Sequence, residues 1–277
     1  MSRKKLKQFI IEAVGIIAVL VIFGIPFYYV LINSTKSMRE AAQMNISLPE
    51  TFLIVENYTA VLETQNGIVI RAFMNSMLIT FMGVFLLVVV GSMTGFVLSR
   101  RRGRDVNIIA FVILAGLMIP PAIVPTIWVL DGVGLFRTLQ GLVMVQVALN
   151  LPFATILYRA FIASIPREVD ESAMIEGSSP IRLYLSIILP LLKPVTSTVV
   201  VISAVTIFND FMNPLYFLPG VRNVTVQLTL YNFMSQFATE WHLLFANVVL
   251  ITLPPLILFI FFNKKIVSGM TAGAVKG

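Results

Sequence analysis

The side chains that could do chemistry are concentrated in one short stretch of an otherwise apolar chain. Four carboxylates lie between positions 168 and 176, and a Gly-Ser-Ser-Pro sequence follows them: Glu168, Asp170, Glu171 and Glu176, then Gly177–Pro180. Disulfides and thiolate metal sites are excluded, because the chain contains no cysteine. The chain also lacks the G-x-x-x-x-G-K-[ST] sequence that cradles nucleotide phosphates. The question is why an apolar chain carries one compact, acidic loop that contains a turn.

The elements around this stretch are predicted to be membrane helices. The chain of 277 residues is 58% hydrophobic and only 12% charged, whereas soluble domains carry about 25% charged residues. A helix needs about 20 apolar residues to cross a bilayer. Six segments meet this test: 10–32, 72–98, 108–130, 138–161, 192–214 and 243–262. We expect an all-α membrane protein with six transmembrane helices in a single domain over residues 1–277. The first segment is longer than a signal-peptide core and is interpreted as a retained helix.

The distribution of positive charge predicts the orientation. With six spans, the N-terminus, the loops 99–107 and 162–191 and the C-terminus share one side. Counting the residues that flank these loops, such as Arg159 and Lys193, this side carries 15 of the 20 Lys and Arg residues. This excess marks the cytoplasmic side, so both termini are predicted to be cytoplasmic. The net charge of +7 is explained by topology, and a basic soluble face for nucleic acid is not available.

The acidic stretch then lies in a cytoplasmic loop between spans four and five. Pro166 suits the first turn of a helix, and the carboxylates that follow are favourable near the positive end of its dipole. Gly177 suits the position just after a helix, while Ser179 suits an N-cap with Pro180 as the first helical residue. The sequence predicts two short helices that meet at Gly177.

The spacing of this loop resembles the "EAA" signature of permease subunits of bacterial ABC importers. That signature is E-A-A, three residues, G, nine residues, then I-x-L-P. The matching positions are Glu171, Ser172, Ala173, Gly177, Ile187, Leu189 and Pro190. Ser172 departs from the signature, but serine is also small. The resemblance implies a coupling helix, in a loop of about 162–191, that docks on a cytoplasmic ATPase and pairs Glu171 with a basic residue there.

Two further segments resemble carbohydrate-type permeases of this family. Phe208–Leu215 is similar to W-N-[DE]-F-x-x-P-L, and Gly269–Gly277 is similar to the G-L-T-A-G-x-V-K-G terminus that one permease of the maltose-type importer carries. In this family such tails reach toward the ATPase dimer. The implied contact residues are Thr271, Ala272, Gly273, Val275 and Lys276.

The resemblance implies a type I ABC importer permease fold in a multi-pass bacterial cell membrane protein. It also implies the partners: a second homologous permease, two ATPase subunits that bind ATP-Mg, an extracytoplasmic binding protein and a sugar. A loop near Ser235–Glu240 is expected to face that binding protein. This chain itself is expected to bind no cofactor or metal and to catalyse no covalent chemistry.

Polar groups in the spans leave alternatives open. Asp210 lies near the outer end of span five, where it either caps the helix or contributes, with Asn209 and Asn213, to a gate in the substrate pathway. The sequence Gly91-x-x-x-Gly95 predicts a face for close helix packing. The alternative function is a secondary transporter driven by an ion gradient, which usually carries carboxylates at the midplane. No Asp or Glu lies in the middle of a predicted span, and neither a filter motif nor a charged ring indicates a channel.

Overall fold

The computed structural model describes residues 3–234 and 239–274, of which residues 3–8, 10 and 263–274 are described as backbone only. Over these residues the chain is helical and forms no β-strand beyond an isolated bridge between Met234 and Thr239. The α-helices are α1 (Arg3–Val19), α2 (Ile25–Asn33), α3 (Met38–Ala41), α4 (Ile54–Arg100), α5 (Arg104–Met118), α6 (Ile123–Gly132), α7 (Leu139–Ala163), α8 (Glu168–Ile175), α9 (Pro180–Arg182), α10 (Leu189–Leu191), α11 (Lys193–Phe208), α12 (Met212–Phe217) and α13 (Trp241–Ala274). Leu20–Gly24 and Leu183–Ile188 are π-helical, and Val226–Phe233 is a 3-10 helix. The predicted all-α class is confirmed over this part of the chain.

Four helical segments in the described residues are long and apolar enough to cross a membrane: Ile11–Asn33, Ile54–Arg100, Leu139–Ala163 and Trp241–Phe262. A fifth candidate is the bent pair Pro180–Leu191 and Lys193–Phe208, whose axes differ by 75°. These five coincide with all the predicted spans except the third. The count of six spans stays a prediction.

Prolines divide the third predicted span, 108–130, into two helices. α5 ends at Met118 and α6 begins at Ile123. Between them Ile119, directly before Pro120, is extended with φ −86° and ψ 120°. A residue before proline avoids the helical region because the proline Cδ clashes with it. Pro120 and Pro121 also lack the N–H groups that would continue the helix.

The boundaries of two other spans also differ from prediction. α11 ends at Phe208, so residues 209–211 form a short connection and α12 is a separate helix. The predicted end at 214 was wrong, since apolar composition continues beyond the point where helical geometry stops. α4 begins well before the predicted start at 72, but Gln65, Asn66 and Gly67 are left-handed, so it consists of two helices joined at this kink.

The chain forms two compact units. One contains the residues up to Arg71 and Leu228–Leu253, and the other contains Ala72–Gln227 and the chain from Pro254 onward. The second unit holds the main apolar core, in which Leu87, Tyr158 and Ile188 are fully buried. The prediction of a single functional domain stays a prediction.

Two glycines let α4 and α7 approach closely within the second unit. A Cβ on Gly95 would lie 2.6 Å from the Cβ of Tyr158 and 3.0 Å from the backbone nitrogen of Arg159. A Cβ on Gly91 would lie 3.2 Å from the Cβ of Ala154. The close-packing face predicted from the Gly91-x-x-x-Gly95 spacing is therefore confirmed.

Buried polar side chains order the loop between α2 and α4 in the first unit. Lys36 is fully buried, and its Nζ donates to the backbone and side-chain oxygens of Asn45 at 2.9 and 2.8 Å. Burial lowers the pKa of Lys36, against a smaller opposing effect of Glu40. The side chain of Asn57 donates to the carbonyls of Ser34 and Lys36, both at 2.9 Å. This loop thus has a fixed internal structure.

Candidate functional site: the acidic loop

Helix α8 ends in the hydrogen-bond pattern expected of a helix that is followed by a left-handed glycine. The Ser178 N–H donates to the Ala173 carbonyl at 2.9 Å, and the Gly177 N–H donates to the Met174 carbonyl at 3.0 Å. This pair of bonds is the Schellman motif, whose residue after the helix must be left-handed. Gly177 has φ +80°. The predicted role of Gly177 as the residue that ends the first helix is confirmed.

The second helix begins where the sequence predicted. Ser179 is extended and its Oγ accepts a hydrogen bond from the Arg182 N–H at 3.3 Å, while Pro180 occupies the first turn. The helix then continues through the π-helical turn Leu183–Ile188 and α10 to the 75° bend before α11. Pro190 and Pro194 lie on either side of that bend. Neither has an N–H group to donate to the carbonyl of the preceding turn, which favours a bend at this place.

The residues of the EAA-like signature divide into an exposed group and an inward group. Glu171 and Ser172 are exposed on α8, Gly177 is exposed at the turn, and Pro190 is exposed at the bend. Ala173 is buried in the core of its own unit, and Ile187 and Leu189 pack partly buried against that core. The resemblance implies that Ala173, as part of the signature, belongs to the helix surface that docks on the ATPase. Its small side chain instead contacts the chain's own core.

Exposed apolar side chains flank the turn at Gly177. Ile175 is 87% exposed and Ile181 is 73% exposed, and Met174 is also exposed beside them. Helical spacing puts Ile175 on one stripe with Glu171, whereas Ile181 lies beyond the turn, in α9. Isoleucine with this exposure in an ordered turn is typical of a surface that a partner covers.

An ion pair that was not predicted from the sequence holds the start of α8. Arg100 Nε lies 2.6 Å from Asp170 Oδ2, and Arg100 Nη2 donates to Asp170 Oδ1 at 3.3 Å and to the Ile165 carbonyl at 3.1 Å. The two side chains are only 11% and 10% exposed. The signal in the sequence was an arginine cluster and an acidic cluster on the same predicted side. No local rule selects the pair among several arginines and carboxylates.

A cavity of about 560 Å³ lies beside this ion pair, between the last turns of α4 and the acidic loop. Its lining is mainly apolar, with Arg101, Arg167 and Glu171 among the charged residues around it. Met93, Phe96 and Val97 form the α4 side, and Met174 lies on the α8 side. Along the cavity the two helices are separated, so their direct polar connection is the ion pair.

Asp210 lies in a hydrogen-bonded cluster just after the C-terminal end of α11. Its carboxylate accepts from the Asn213 backbone N–H at 3.2 Å and from the Asn213 side chain at 2.6 Å, and also from the Gln146 side chain. Asn209 is exposed and its side-chain oxygen accepts from Gln227 at 3.3 Å. The cavity beside Asp210 has a volume of about 10 Å³, enough for about one water molecule. Asp210 thus accepts a hydrogen bond from the first turn of α12, and its role in a gate stays a prediction.

The remaining predicted contact residues lie in the tail and in the loop near 235–240, which the structure describes only in part. Thr271, Ala272 and Gly273 belong to the last turns of α13, as backbone only. Val275 and Lys276 lie outside the described residues, as do residues 235–238 of the predicted outer loop. Among the described residues, no group of His, Cys, Asp or Glu could hold a metal ion.

The family described as "Binding-protein-dependent transport system inner membrane component" matches residues 88–272. The chain belongs to this family. It is the permease subunit of an ABC transporter, and the prediction from the acidic loop is confirmed at this level. In such systems the ATPase is a separate subunit.

Curated relatives of the permease match it along most or all of its length. It is 31% identical to "Probable starch degradation products transport system permease protein AmyC" of Thermoanaerobacterium thermosulfurigenes, over 100% of both chains. It is also 31% identical to "Melibiose/raffinose/stachyose import permease protein MelC" of Bacillus subtilis (strain 168), over 91% of both chains.

Solved structures support the fold of the permease. A chain of a bacterial ABC transporter involved in the import of alginate superposes with a TM-score of 0.81 at 20% identity, covering 95% of this chain and 98% of that one. A second alginate transporter structure, in complex with a pentasaccharide-bound periplasmic protein, gives a TM-score of 0.69 at 14% identity, covering 95% and 94%. At these identities the likeness establishes the fold alone.

Proposed function

We propose that this permease imports an oligosaccharide by alternating access, together with a second permease, two ATPase subunits and an extracytoplasmic binding protein. The observation that carries the substrate class is the full-length match to a permease named for starch degradation products. The match to a permease named for melibiose, raffinose and stachyose points to the same class. ATP-Mg binds to the ATPase partners, since this chain has no phosphate-binding loop.

The acidic loop is proposed to be the contact with one ATPase. α8 exposes Glu171 and Ser172, and the turn beside it exposes Ile175 and Ile181. A carboxylate next to an apolar projection suits a groove with a basic residue at its rim, because the apolar groups supply affinity and the charge fixes orientation. The tail at Thr271–Gly273 and beyond is proposed as a second contact with the ATPase dimer.

The proposed cycle uses the loop as a lever. ATP binding closes the ATPase dimer and draws α8 of this chain toward its counterpart on the second permease. The pathway between the two permeases then opens outward and receives the sugar from the docked binding protein. Hydrolysis returns the ATPases and the loop to their starting position. Asn209, Asp210 and Asn213 order the outer end of α11 during this cycle.

Reconstitution tests this function against a secondary transporter. The complex is purified through a tag on this chain and placed in liposomes, with the binding protein outside. We expect uptake of the sugar that the purified binding protein retains, only when ATP-Mg is present inside and an ATPase subunit has co-purified. Uptake by this chain alone, driven by a proton or sodium gradient, would contradict the proposal.

The substrate class has its own test. Mass spectrometry of the binding protein as purified from the host identifies its retained ligand, which we expect to be an oligosaccharide. A retained amino acid or metal chelate would overturn the substrate class and leave the importer mechanism intact.

The orientation is tested by reporter fusions at Gly277 and in the loop 99–107. Both are expected to report the cytoplasm, because 15 of 20 Lys and Arg residues lie on that predicted side. An extracytoplasmic signal from either fusion would place the acidic loop away from the ATPase and remove the coupling proposal.

A further inference from the structure

We infer that the Arg100–Asp170 ion pair transmits the movement of α8 to α4, which makes both side chains positioning residues of the transport cycle. The inference rests on the proposed coupling role of α8. It assigns a function to two residues that lie outside the EAA-like signature.

The geometry of the pair suits the transmission of force. Arg100 contacts both carboxylate oxygens of Asp170 and also the carbonyl of Ile165, which lies in the connection before α8. Nη2 donates both hydrogen bonds, one to Asp170 and one to the Ile165 carbonyl, while Nε makes a close charge contact without hydrogen-bond geometry. A guanidinium bonded to two different groups resists rotation as well as separation. Because both side chains are about nine-tenths buried, water and salt screen the attraction less than at an exposed pair.

The positions of the two residues in their helices add to the connection. Arg100 is the last residue of α4, and Asp170 lies in the first turn of α8. A cation is favourable at the C-terminal end of a helix and an anion at the N-terminal end, because of the helix dipoles. The pair therefore joins two helix ends, each of which stabilises its own member.

The rest of the contact between these helices is loose, whereas the end of α4 is firmly packed elsewhere. The 560 Å³ cavity separates α8 from α4 beside the pair. On α4, Gly95 lies directly against Tyr158 of α7, and the Ser92 hydroxyl is 2.7 Å from the Tyr184 hydroxyl in the π-helical turn. A displacement that reaches Arg100 is thus passed to a closely packed body of α4, α7 and the π-helical turn.

The test is a double-mutant cycle in the complete importer, purified through a tag on this chain and placed in nanodiscs. The probes are ATP-Mg and the binding protein as isolated with its retained ligand. The readout is the stimulated rate of ATP hydrolysis divided by the basal rate, measured per assembled complex. Arg100→Gln and Asp170→Asn are each expected to lower this ratio by roughly 2- to 30-fold, the range of coupling changes along a network. The double variant is expected to be no lower than the worse single variant, because the two side chains act through one contact.

Matched variants separate transmission from stability. Arg102→Gln removes an exposed charge from the same cluster and is expected to keep the wild-type ratio. If Arg100→Gln does not assemble, Arg100→Lys is used, which keeps the charge but loses the several N–H donors of the guanidinium. An intermediate ratio of stimulated to basal hydrolysis is then expected. A ratio equal to wild type in the assembled Arg100 and Asp170 variants would overturn the inference, as would independent, multiplying effects in the double variant.

Glu171→Lys in the same assay separates the coupling role of α8 from the role of the ion pair. If it abolishes stimulation while the Arg100 and Asp170 variants keep it, the coupling loop stands and the ion pair is only structural. If Glu171→Lys stimulates normally, the coupling role of α8 itself fails.

Discussion

Gly177 is the residue at which backbone conformation and the proposed partner contact coincide. Its φ of +80° is required by the two hydrogen bonds that close α8. A Cβ added there would meet no atom of this chain within 4 Å. Any effect of a side chain at 177 therefore comes from backbone strain and from whatever surface approaches the turn.

We expect Gly177→Val to abolish sugar uptake with near-normal membrane insertion, because the spans are untouched. A side chain in the left-handed region costs roughly 1–2 kcal/mol, and a β-branched one is the most restricted. Gly177→Ala is the milder control and should keep partial uptake. Uptake and pull-down of the ATPase are the measurements, and wild-type values for both in Gly177→Val would refute the turn and the docking contact together.

Gly95 is limited by space rather than by backbone conformation. Its added Cβ would lie 2.6 Å from the Cβ of Tyr158, so α4 and α7 must separate in a Gly95→Ala variant. Overpacking of this kind costs about 1–3 kcal/mol. We expect a lower melting temperature in detergent and weaker uptake. Gly15→Ala is the matched control, since its Cβ meets nothing within 4 Å, and an equal loss in both variants would contradict the packing argument.

Local chemistry explains which residues could be predicted from sequence. The roles of Gly177, Ser179 and Pro180 depend on neighbours within three or four positions, so their order alone indicated them. Arg100 and Asp170 are 70 positions apart, and several other charges could have formed the pair. Ala173 could be recognised as a small residue at a fixed spacing, but only the packing of α8 showed that it faces inward.

At the scale of elements, the loop between α2 and α4 contains a capped turn whose stability depends on pH. Ser37 begins α3 as a capping box, in which its Oγ and backbone N–H contact Glu40. The Glu40 carboxylate also accepts from the Glu50 N–H at 2.9 Å. The Glu50 hydrogen bond first, and those from Ser37 next, lower the pKa of Glu40 below its ordinary value of 4.5.

This direction of shift predicts the pH dependence. Because the folded pKa lies below the unfolded value, the carboxylate stabilises the loop fully above pH 4.5 and progressively less as the pH falls through the folded pKa. We expect hydrogen exchange of residues 34–57, corrected for its intrinsic pH dependence, to accelerate below pH 4.5. Glu40→Gln should remove this response and the exposed Glu56→Gln should keep it. An unchanged response in Glu40→Gln would contradict the assignment.

Apolar composition predicted most helices but not where they break. Spans one, two, four and six were found from hydrophobic length alone, since that property decides whether a helix can cross a bilayer. The interruption at Pro120 and Pro121 follows from residue type, because proline breaks helices. The end of α11 at Phe208 depends on backbone geometry that a count of apolar residues ignores. The π-helical turn after α9 has no sequence signal that we recognise.

At the scale of the whole molecule, the permease is one part of a larger machine. This chain supplies helices that can cross the membrane, an acidic loop with an exposed face, and a fold shared with alginate importers. Nucleotide chemistry belongs to a separate subunit, and the proposed binding protein delivers the substrate. The central claim is therefore that the exposed face of α8 is the contact through which ATP hydrolysis drives this chain.

The most direct measurement of that claim is a pull-down from solubilised membranes through a tag on this chain, combined with ATP-dependent sugar uptake. The wild-type chain should bring down an ATPase that carries a phosphate-binding loop. Glu171→Lys should insert in the membrane at the normal level but lose the ATPase or lose uptake, because a reversed charge repels the basic partner. Glu56→Lys, an exposed reversal on the predicted outer side, should retain both. If Glu171→Lys keeps a wild-type amount of ATPase and wild-type uptake, α8 is not the coupling contact.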